Sequence, residues 1–128
     1  MPSIIRYPGS KAKLTPMIRQ YMPDWMIGSV WNPPDGAWFV EPFFGSGAAG
    51  LQLLEHVTSS IGVWINDIDY PMYALWHSVL HETRRLVMYV REFEPTKEAF
   101  YKLKACDGQS SGCIARDAFQ KIALHRMS

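Results

Sequence analysis

Long apolar runs, cysteine pairs and internal repeats are all missing from this chain of 128 residues. No stretch approaches the roughly 20 consecutive apolar residues that a membrane-spanning helix needs, and no secretory signal opens the sequence. The two cysteines, Cys106 and Cys113, are too few for a disulfide framework and lack a partner pair for a zinc site. These absences predict a globular protein of a reducing, cytoplasmic compartment, with no membrane partner.

Positive charge is absent from the middle of the chain. Residues 24–83 contain seven acidic side chains and no lysine or arginine, whereas residues 84–128 contain nine basic and five acidic ones. Residues 1–23 hold four basic side chains and no acid. Chance and solvated helix faces produce such blocks in many proteins. The functional alternative is a site that attracts a cation, flanked by surfaces that tolerate phosphate, which would give the same pattern.

Two apolar segments, at 37–43 and 61–65, predict β-strands separated by a helix over 48–56. The first segment is continuously apolar, which is typical of a parallel strand covered on both faces. This order predicts a right-handed βαβ unit and an α/β fold. Because a parallel sheet of two strands is rarely stable alone, we expect an incomplete fold, the front part of a larger catalytic domain. A small helical domain with a two-stranded sheet is the alternative.

Helices are predicted on both sides of this core. Thr15 and Pro16 resemble an N-cap followed by proline at the first helical position, and Pro23 ends that helix. Residues 28–36 are rich in turn-forming side chains and predict a loop. Later in the chain, the pattern predicts one or two helices between 70 and 93 and another after 96. A glycine–serine loop at 107–112 follows, and then a helix from about 114.

The first predicted strand runs into a glycine turn made by Gly45, Ser46 and Gly47. Glycine adopts positive φ readily and lets a ligand approach the backbone closely. Asp67 follows Gly45 by 22 positions, at the end of the second strand, where an acid can accept hydrogen bonds from ribose hydroxyls. The pattern therefore predicts a nucleoside-cofactor site, and a strand–turn–helix without a ligand is the alternative.

Two cofactors fit this pattern. Residues 45–50 match G-x-G-x-x-G, the dinucleotide fingerprint, which would make the chain a fragment of an oxidoreductase. A dinucleotide carries a pyrophosphate, whereas S-adenosylmethionine carries a sulfonium and an ammonium. Glu41 lies just before the turn in the segment without cations, and its attraction over about 4–6 Å favours a cationic ligand. Charge therefore favours S-adenosylmethionine.

Three linked motifs add a resemblance that spans nearly the whole chain. They are Arg6-Tyr7-Pro8-Gly9-Ser10-Lys11, then Phe39-Val40-Glu41-Pro42-Phe43-Phe44-Gly45-Ser46-Gly47, then Asn66-Asp67-Ile68-Asp69. In this order they resemble the opening of the DNA adenine-N6 methyltransferases of the α-amino group, the family of bacterial and phage DNA adenine methylases. The resemblance implies a Rossmann-like fold, S-adenosylmethionine as methyl donor, and adenine in double-stranded DNA as acceptor.

The resemblance also implies which residues bind the cofactor. It assigns eight positions, with Phe43 and Gly45 in the pocket wall: Tyr7, Lys11, Glu41, Phe43, Gly45, Ser46, Gly47 and Asp67. Glu41 is expected to hold the methionine ammonium and Asp67 the ribose hydroxyls. Tyr7 is expected to stack near the cofactor, and Lys11 to line the region between the cofactor and the target base.

A catalytic motif is missing from the sequence. Methylation of an exocyclic amine needs an extruded base and acceptors for the amine hydrogens, which an Asp-Pro-Pro-Tyr type motif supplies in the family. The only Pro-Pro here, in Asn32-Pro33-Pro34-Asp35, lacks the aromatic and precedes the glycine turn, so a loop is favoured. We expect residues 1–128 to be the cofactor-binding part of a truncated or split enzyme, inactive alone. A second chain would then supply the motif, and a non-enzymatic DNA-binding or regulatory module is the alternative.

Two further groups of side chains have plain structural explanations. His77 and His81 are spaced to place two imidazoles on one metal ion, but no third ligand is evident, so a packed helix face and no metal are expected. Five basic residues could contact DNA phosphates, but residues of this kind more often lie on solvated helix faces, which is the favoured explanation here: Arg84, Arg85, Lys97, Lys102 and Lys104.

Overall fold

The computed structural model describes residue 5 and residues 11–27, 34–55 and 61–128. The chain divides into two compact units, Met1–Asp67 and Ile68–Ser128. The division lies close to residue 70, where the sequence pattern becomes helical, and each unit has an apolar core of its own. Within the described ranges, no helix has the length and apolar character needed to cross a membrane.

The first unit is built around a short parallel sheet. Its elements are a 3-10 helix Lys11–Leu14, α1 Thr15–Gln20, α2 Asp24–Ile27, β1 Trp38–Glu41, α3 Ala48–Leu54 and β2 Gly62–Ile65. The two strands run parallel, with Trp38 opposite Gly62 and Glu41 opposite Ile65. The predicted order of strand, helix and strand is confirmed, and the fold mixes helices with a small parallel sheet.

Among the described residues, β1 is packed on one face and exposed on the other. Phe39 belongs to a buried apolar cluster, whose other members are Met26, Leu53 and Ile61. Trp38 and Val40, which alternate with Phe39 along β1, are exposed, and so is Trp64 of β2. The prediction that the first strand is covered on both faces is therefore wrong for the described residues. A continuously apolar strand has the same sequence pattern whether its second face is packed within the chain or exposed.

The start of α1 differs from the prediction. Thr15 is the first residue of α1, and the N-cap position belongs to Leu14, which makes no side-chain capping hydrogen bond. Thr15 does not act as the cap because the preceding 3-10 helix leads directly into α1, so that Leu14 is already helical, with φ −88° and ψ −11°. Pro16 lies in the first turn and the helix ends before Pro23, as predicted. The predicted loop at 28–36 lies mostly outside the described residues.

The second unit is entirely helical in its secondary structure. Its elements are α4 Tyr70–His81, α5 Thr83–Glu92, α6 Lys97–Ala105 and α7 Ile114–Met127. The last helix packs against each of the other three. Its side chains Ala118, Phe119 and Ala123 are buried in the core of the unit with Ala74 and Leu86.

Asp117 fixes the glycine–serine loop to the start of α7. Its carboxylate accepts hydrogen bonds from the Tyr70 hydroxyl at 2.8 Å, the Ser110 hydroxyl at 3.1 Å and the Ser111 backbone N–H at 2.9 Å. Burial opposes ionisation of Asp117, but the hydrogen bonds outweigh it and hold its pKa below the ordinary value of 3.8. The loop is thus anchored by a charged group that is stabilised from three sides.

Candidate cofactor site

The chain turns sharply after β1 because two glycines adopt positive φ. Gly45 has φ of 51° and Gly47 has φ of 70°, a region that other residues rarely adopt. The Phe44 N–H donates to the Asn66 carbonyl at 2.9 Å, and the Gly47 N–H donates to the Phe44 carbonyl at 2.8 Å. The predicted glycine turn is therefore present, and α3 begins directly after it.

Asp67 holds this turn from the end of the second strand. The Gly45 N–H donates to Asp67 Oδ2 at 2.6 Å. The contact is made because parallel strands end at the same edge of a sheet, so residues that follow β1 and β2 meet there. The carboxylate expected to bind ribose hydroxyls thus lies at the turn, with one oxygen already bound to the backbone.

Glu41 is the last residue of β1 and lies on the inner face of the sheet, beside α3. Its Oε2 atom is buried and has no hydrogen-bond partner in the part of the chain that the structure describes. A Cβ on Gly50 would lie 2.3 Å from this oxygen and 2.3 Å from Cε2 of the Phe44 ring. The carboxylate can occupy this position only because Gly50 has no side chain.

Gly50 and Phe44 were not predicted as site residues. The signal for Gly50 is the third glycine of G-x-G-x-x-G, which marks a close approach of the helix to its surroundings. Phe44 is buried, whereas the side chain of the neighbouring Phe43 is exposed. Two adjacent aromatic residues give no indication in the sequence of which one turns inward.

Burial governs the charge of Glu41. Desolvation raises the pKa of Glu41 above its ordinary value of 4.5, Lys11 opposes the rise, and the nearby Asp67 carboxylate adds to it. The Lys11 ammonium lies 3.6 Å from Glu41 Oε1 and donates to the Phe43 carbonyl at 2.5 Å. One cation therefore joins the 3-10 helix to the end of β1.

The structure brings most of the predicted site residues together. Lys11, Glu41 and Asp67 surround the turn, and Phe43 contributes its carbonyl to Lys11. Ser46 lies buried within the turn. Tyr7 lies outside the described residues, as do Asn32 and Pro33.

The acceptor groups at the turn suit a ligand that is positively charged and carries hydroxyls. Glu41 offers a buried oxygen that lacks a hydrogen bond among the described residues, and Asp67 brings a second carboxylate to the same edge. A buried acceptor without a partner costs free energy, which a ligand that donates to it would recover. The residues present therefore fit S-adenosylmethionine, whose ammonium and ribose hydroxyls are donors.

The two histidines of α4 lie side by side, with His77 half-buried and His81 exposed. The His77 and His81 rings lie 4.9 Å apart, and His77 Nδ1 lies 3.9 Å from Glu82 Oε1. Among the residues with described positions, no group of three histidine, cysteine, aspartate or glutamate side chains is arranged to hold a metal ion.

Comparison with known proteins identifies the family. No curated protein and no solved structure matches the chain significantly. The profile of the D12 class N6 adenine-specific DNA methyltransferases matches residues 7–127, which is most of the chain. The resemblance expected from the three motifs is thereby confirmed, and the chain belongs to the D12 class N6 adenine-specific DNA methyltransferase family.

Proposed function

We propose that this chain is the S-adenosylmethionine-binding part of a site-specific DNA adenine-N6 methyltransferase with a Rossmann-like fold. The observation that carries the proposal is the hydrogen bond from the Gly45 N–H to Asp67, which brings two carboxylates, Glu41 and Asp67, to one glycine turn. Membership of the family supports the reaction, and the lack of any cation in residues 24–83 supports a positively charged methyl donor.

The proposed roles follow from the charge of each group. Glu41 accepts hydrogen bonds from the methionine ammonium, and Asp67 accepts them from the ribose hydroxyls. Lys11 neutralises part of the Glu41 charge and faces the carboxylate of the methionine moiety. Gly45 and Phe43 form the wall of the pocket, and we expect Tyr7 to stack beside the cofactor.

Bound S-adenosylmethionine would supply an electrophilic methyl group on a sulfonium. The residues of this chain would hold that methyl in a fixed direction, which lowers the entropic part of the barrier. The carboxylates at the turn would attract the positively charged donor and so favour its binding. The acceptor in double-stranded DNA would be adenine N6, presented by an extruded base.

The sequence contains no Asp-Pro-Pro-Tyr type motif to accept the hydrogens of the adenine amine. We therefore expect no turnover from these 128 residues alone. Methyl transfer would require a polypeptide that carries such a motif, in the same enzyme or on a second chain.

Equilibrium binding and a transfer assay test the proposal together. By isothermal titration calorimetry, the chain is expected to bind S-adenosylmethionine and not NAD. With methyl-labelled cofactor and duplex DNA, it is expected to transfer no label. A Glu55→Gln variant serves as the control for Glu41→Gln, because Glu55 is an exposed acid of the same cation-free segment.

Three results would overturn the proposal. Binding of NAD without binding of S-adenosylmethionine would make the chain a dinucleotide-binding protein. A melting temperature raised by DNA but unaffected by the cofactor would indicate a DNA-binding or regulatory module. Clear turnover by the isolated chain would show that another residue performs the catalytic role.

A further inference from the structure

A cleft of about 460 Å³ opens between α5 and α6 in the second unit, with side chains of α7 at its base. It is left open because α6 packs against α7 without burying any side chain of its own. The Gln120 amide of α7 donates to the Leu103 carbonyl of α6 at 3.0 Å, which fixes α6 at this side of the cleft. The volume lies within the range of about 300–1,000 Å³ that is typical of small-molecule pockets.

The base of the cleft is aromatic. Phe119 is buried there, the Tyr89 ring stacks on it with the ring centroids 5.9 Å apart, and the Phe93 ring meets it edge-on at 5.0 Å. Ala99 and Leu103 of α6 add to the apolar lining. A flat apolar body placed here would gain both hydrophobic burial and contacts with these rings.

Three charged side chains lie at the rim of the cleft. Lys102 of α6 and Arg116 of α7 are exposed cations, and Glu92 of α5 is an exposed acid. Within the ranges that the structure describes, none of the three forms an ion pair. The two cations can therefore bind an anionic group, whereas the single acid opposes a second negative charge on the ligand.

We propose that this cleft binds a small molecule with a flat apolar body and a single carboxylate. The apolar body lies against the Phe119 ring, and the carboxylate accepts hydrogen bonds from Arg116 and Lys102. Glu92 disfavours a phosphate monoester, which carries nearly two negative charges at neutral pH. A DNA phosphate would use the cations but leave the aromatic base uncovered. All the lining residues belong to the second unit, so the proposal does not depend on the cofactor site of the first.

Binding of naphthalene-2-carboxylate to the whole chain, measured by isothermal titration calorimetry, tests the proposal. The comparison probes are naphthalene-2-methanol, which is neutral, and 2-naphthyl phosphate. The carboxylate is expected to bind with a Kd below about 1 mM, and about fivefold or more tightly than either comparison probe. It is also expected to raise the midpoint of the far-ultraviolet circular dichroism transition, which the helices of the second unit dominate.

A substitution that fills the cleft tests where the probe binds. Ala99→Trp places an indole in the cleft and is expected to weaken binding of naphthalene-2-carboxylate by about tenfold or more. Ala105→Trp is the matched control, because Ala105 is exposed on the same helix and does not line the cleft. Circular dichroism spectra equal to that of the parent verify that both variants are folded.

Substitutions at the rim test the role of charge without altering the apolar lining. Arg116→Gln is expected to weaken binding of the carboxylate by about fivefold and to leave binding of naphthalene-2-methanol unchanged. Arg84→Gln, at an exposed position of α5 outside the cleft, is the control. Glu92→Gln is expected to strengthen binding of 2-naphthyl phosphate, because the acid that opposes its second charge is removed.

Four results would overturn the proposal. The first is a parent chain that binds none of the probes. The second is unchanged carboxylate binding in folded Ala99→Trp, which would place the probe elsewhere. The third is equal affinity for the carboxylate and the neutral alcohol, which would mean that the rim does not select an anion. The fourth is duplex DNA binding that Arg116→Gln weakens in a chain that does not bind the carboxylate, which would make the rim a nucleic-acid surface.

Discussion

Glu41 combines a cost to stability with a benefit to binding. Desolvation raises the pKa of Glu41 above 4.5, so the folded chain holds its proton more tightly than the unfolded chain does. The contribution of Glu41 to the free energy of unfolding is therefore greatest at low pH and decreases as pH rises from about 4.5 through the raised pKa. The charged form, which is destabilising, is the one that would attract a cationic cofactor.

Replacing Glu41 with glutamine separates these two effects. Glu41→Gln is expected to raise the free energy of unfolding at neutral pH, because no charge is then buried beside Gly50 and Phe44. It is expected to weaken S-adenosylmethionine binding by about tenfold to a hundredfold, since a charged acceptor is lost. Thermal melts and calorimetry at several pH values measure both effects.

The parent chain should bind the cofactor more tightly as pH rises from about 4.5, and Glu41→Gln should lose that part of the pH dependence. An equal pH dependence in the parent and in Glu41→Gln would mean that Glu41 does not face the cofactor.

Asp67 has a structural contact as well as its proposed binding role. Asp67→Ala removes the acceptor for the Gly45 N–H and is expected to cost about 1–3 kcal/mol of cofactor binding, with a loss of stability in the first unit. Asp67→Asn keeps an acceptor for that N–H and is expected to retain most of the stability with weaker binding. Calorimetry and urea unfolding measure the two quantities, with Asp35→Asn, an exposed turn acid, as the control. If Asp67→Asn and Asp67→Ala both bind S-adenosylmethionine as tightly as the parent chain does, the Asp67 carboxylate does not hold the ribose.

At the level of single residues, the positions of the two acids at the strand ends could be read from the sequence, but the residues that surround them could not. Glu41 and Asp67 could be assigned to one edge because parallel strands end together. The contact of Gly50 with the Glu41 carboxylate depends on how α3 packs on the sheet, which no local pattern specifies. The same limit applies to Phe44, which is buried while Phe43 is exposed.

At the level of elements, the approach of α3 to β1 depends on Gly50. Gly50→Ala would place a Cβ within 2.3 Å of Phe44 and of Glu41 Oε2. Glu41 can shift its side-chain end, but the buried Phe44 ring can move only with the core, so a loss of about 1–3 kcal/mol in the free energy of unfolding is expected.

Urea unfolding measures this loss, and Gln52→Ala on the same helix is the control. Equal stability of Gly50→Ala and the parent would mean that α3 can move away from the sheet without cost.

The helices and strands were predicted well where their pattern was periodic. The helices of the second unit lie where they were predicted, because their apolar positions recur at helical spacing, and the one or two helices expected between 70 and 93 are two. The short helices Lys11–Leu14 and Asp24–Ile27 were not predicted, because four residues are too few to show a period. Thr15 was wrongly predicted as the N-cap because the short helix Lys11–Leu14 that leads into α1 could not be seen in the sequence.

At the level of the whole molecule, two units with separate cores are expected to unfold in separate steps. Four of the five tryptophans lie in residues 1–67, so their fluorescence reports on the first unit, whereas far-ultraviolet circular dichroism is dominated by the helices of the second. S-adenosylmethionine at 100 times its Kd is expected to stabilise the first unit by about 2.7 kcal/mol.

Thermal scans with both probes measure this difference. The cofactor should raise the midpoint of the fluorescence transition and leave the dichroism transition little changed. Equal shifts in both would mean that the units unfold as one or that the cofactor contacts both.

The hydrogen bond between the Gly45 N–H and Asp67 also determines how this region opens to solvent. That amide hydrogen is protected while the Asp67 carboxylate holds the turn. Its exchange with deuterium should therefore be as slow as that of the amides that pair the two strands. Exchange at this single glycine would then report whether the ends of the two strands open together.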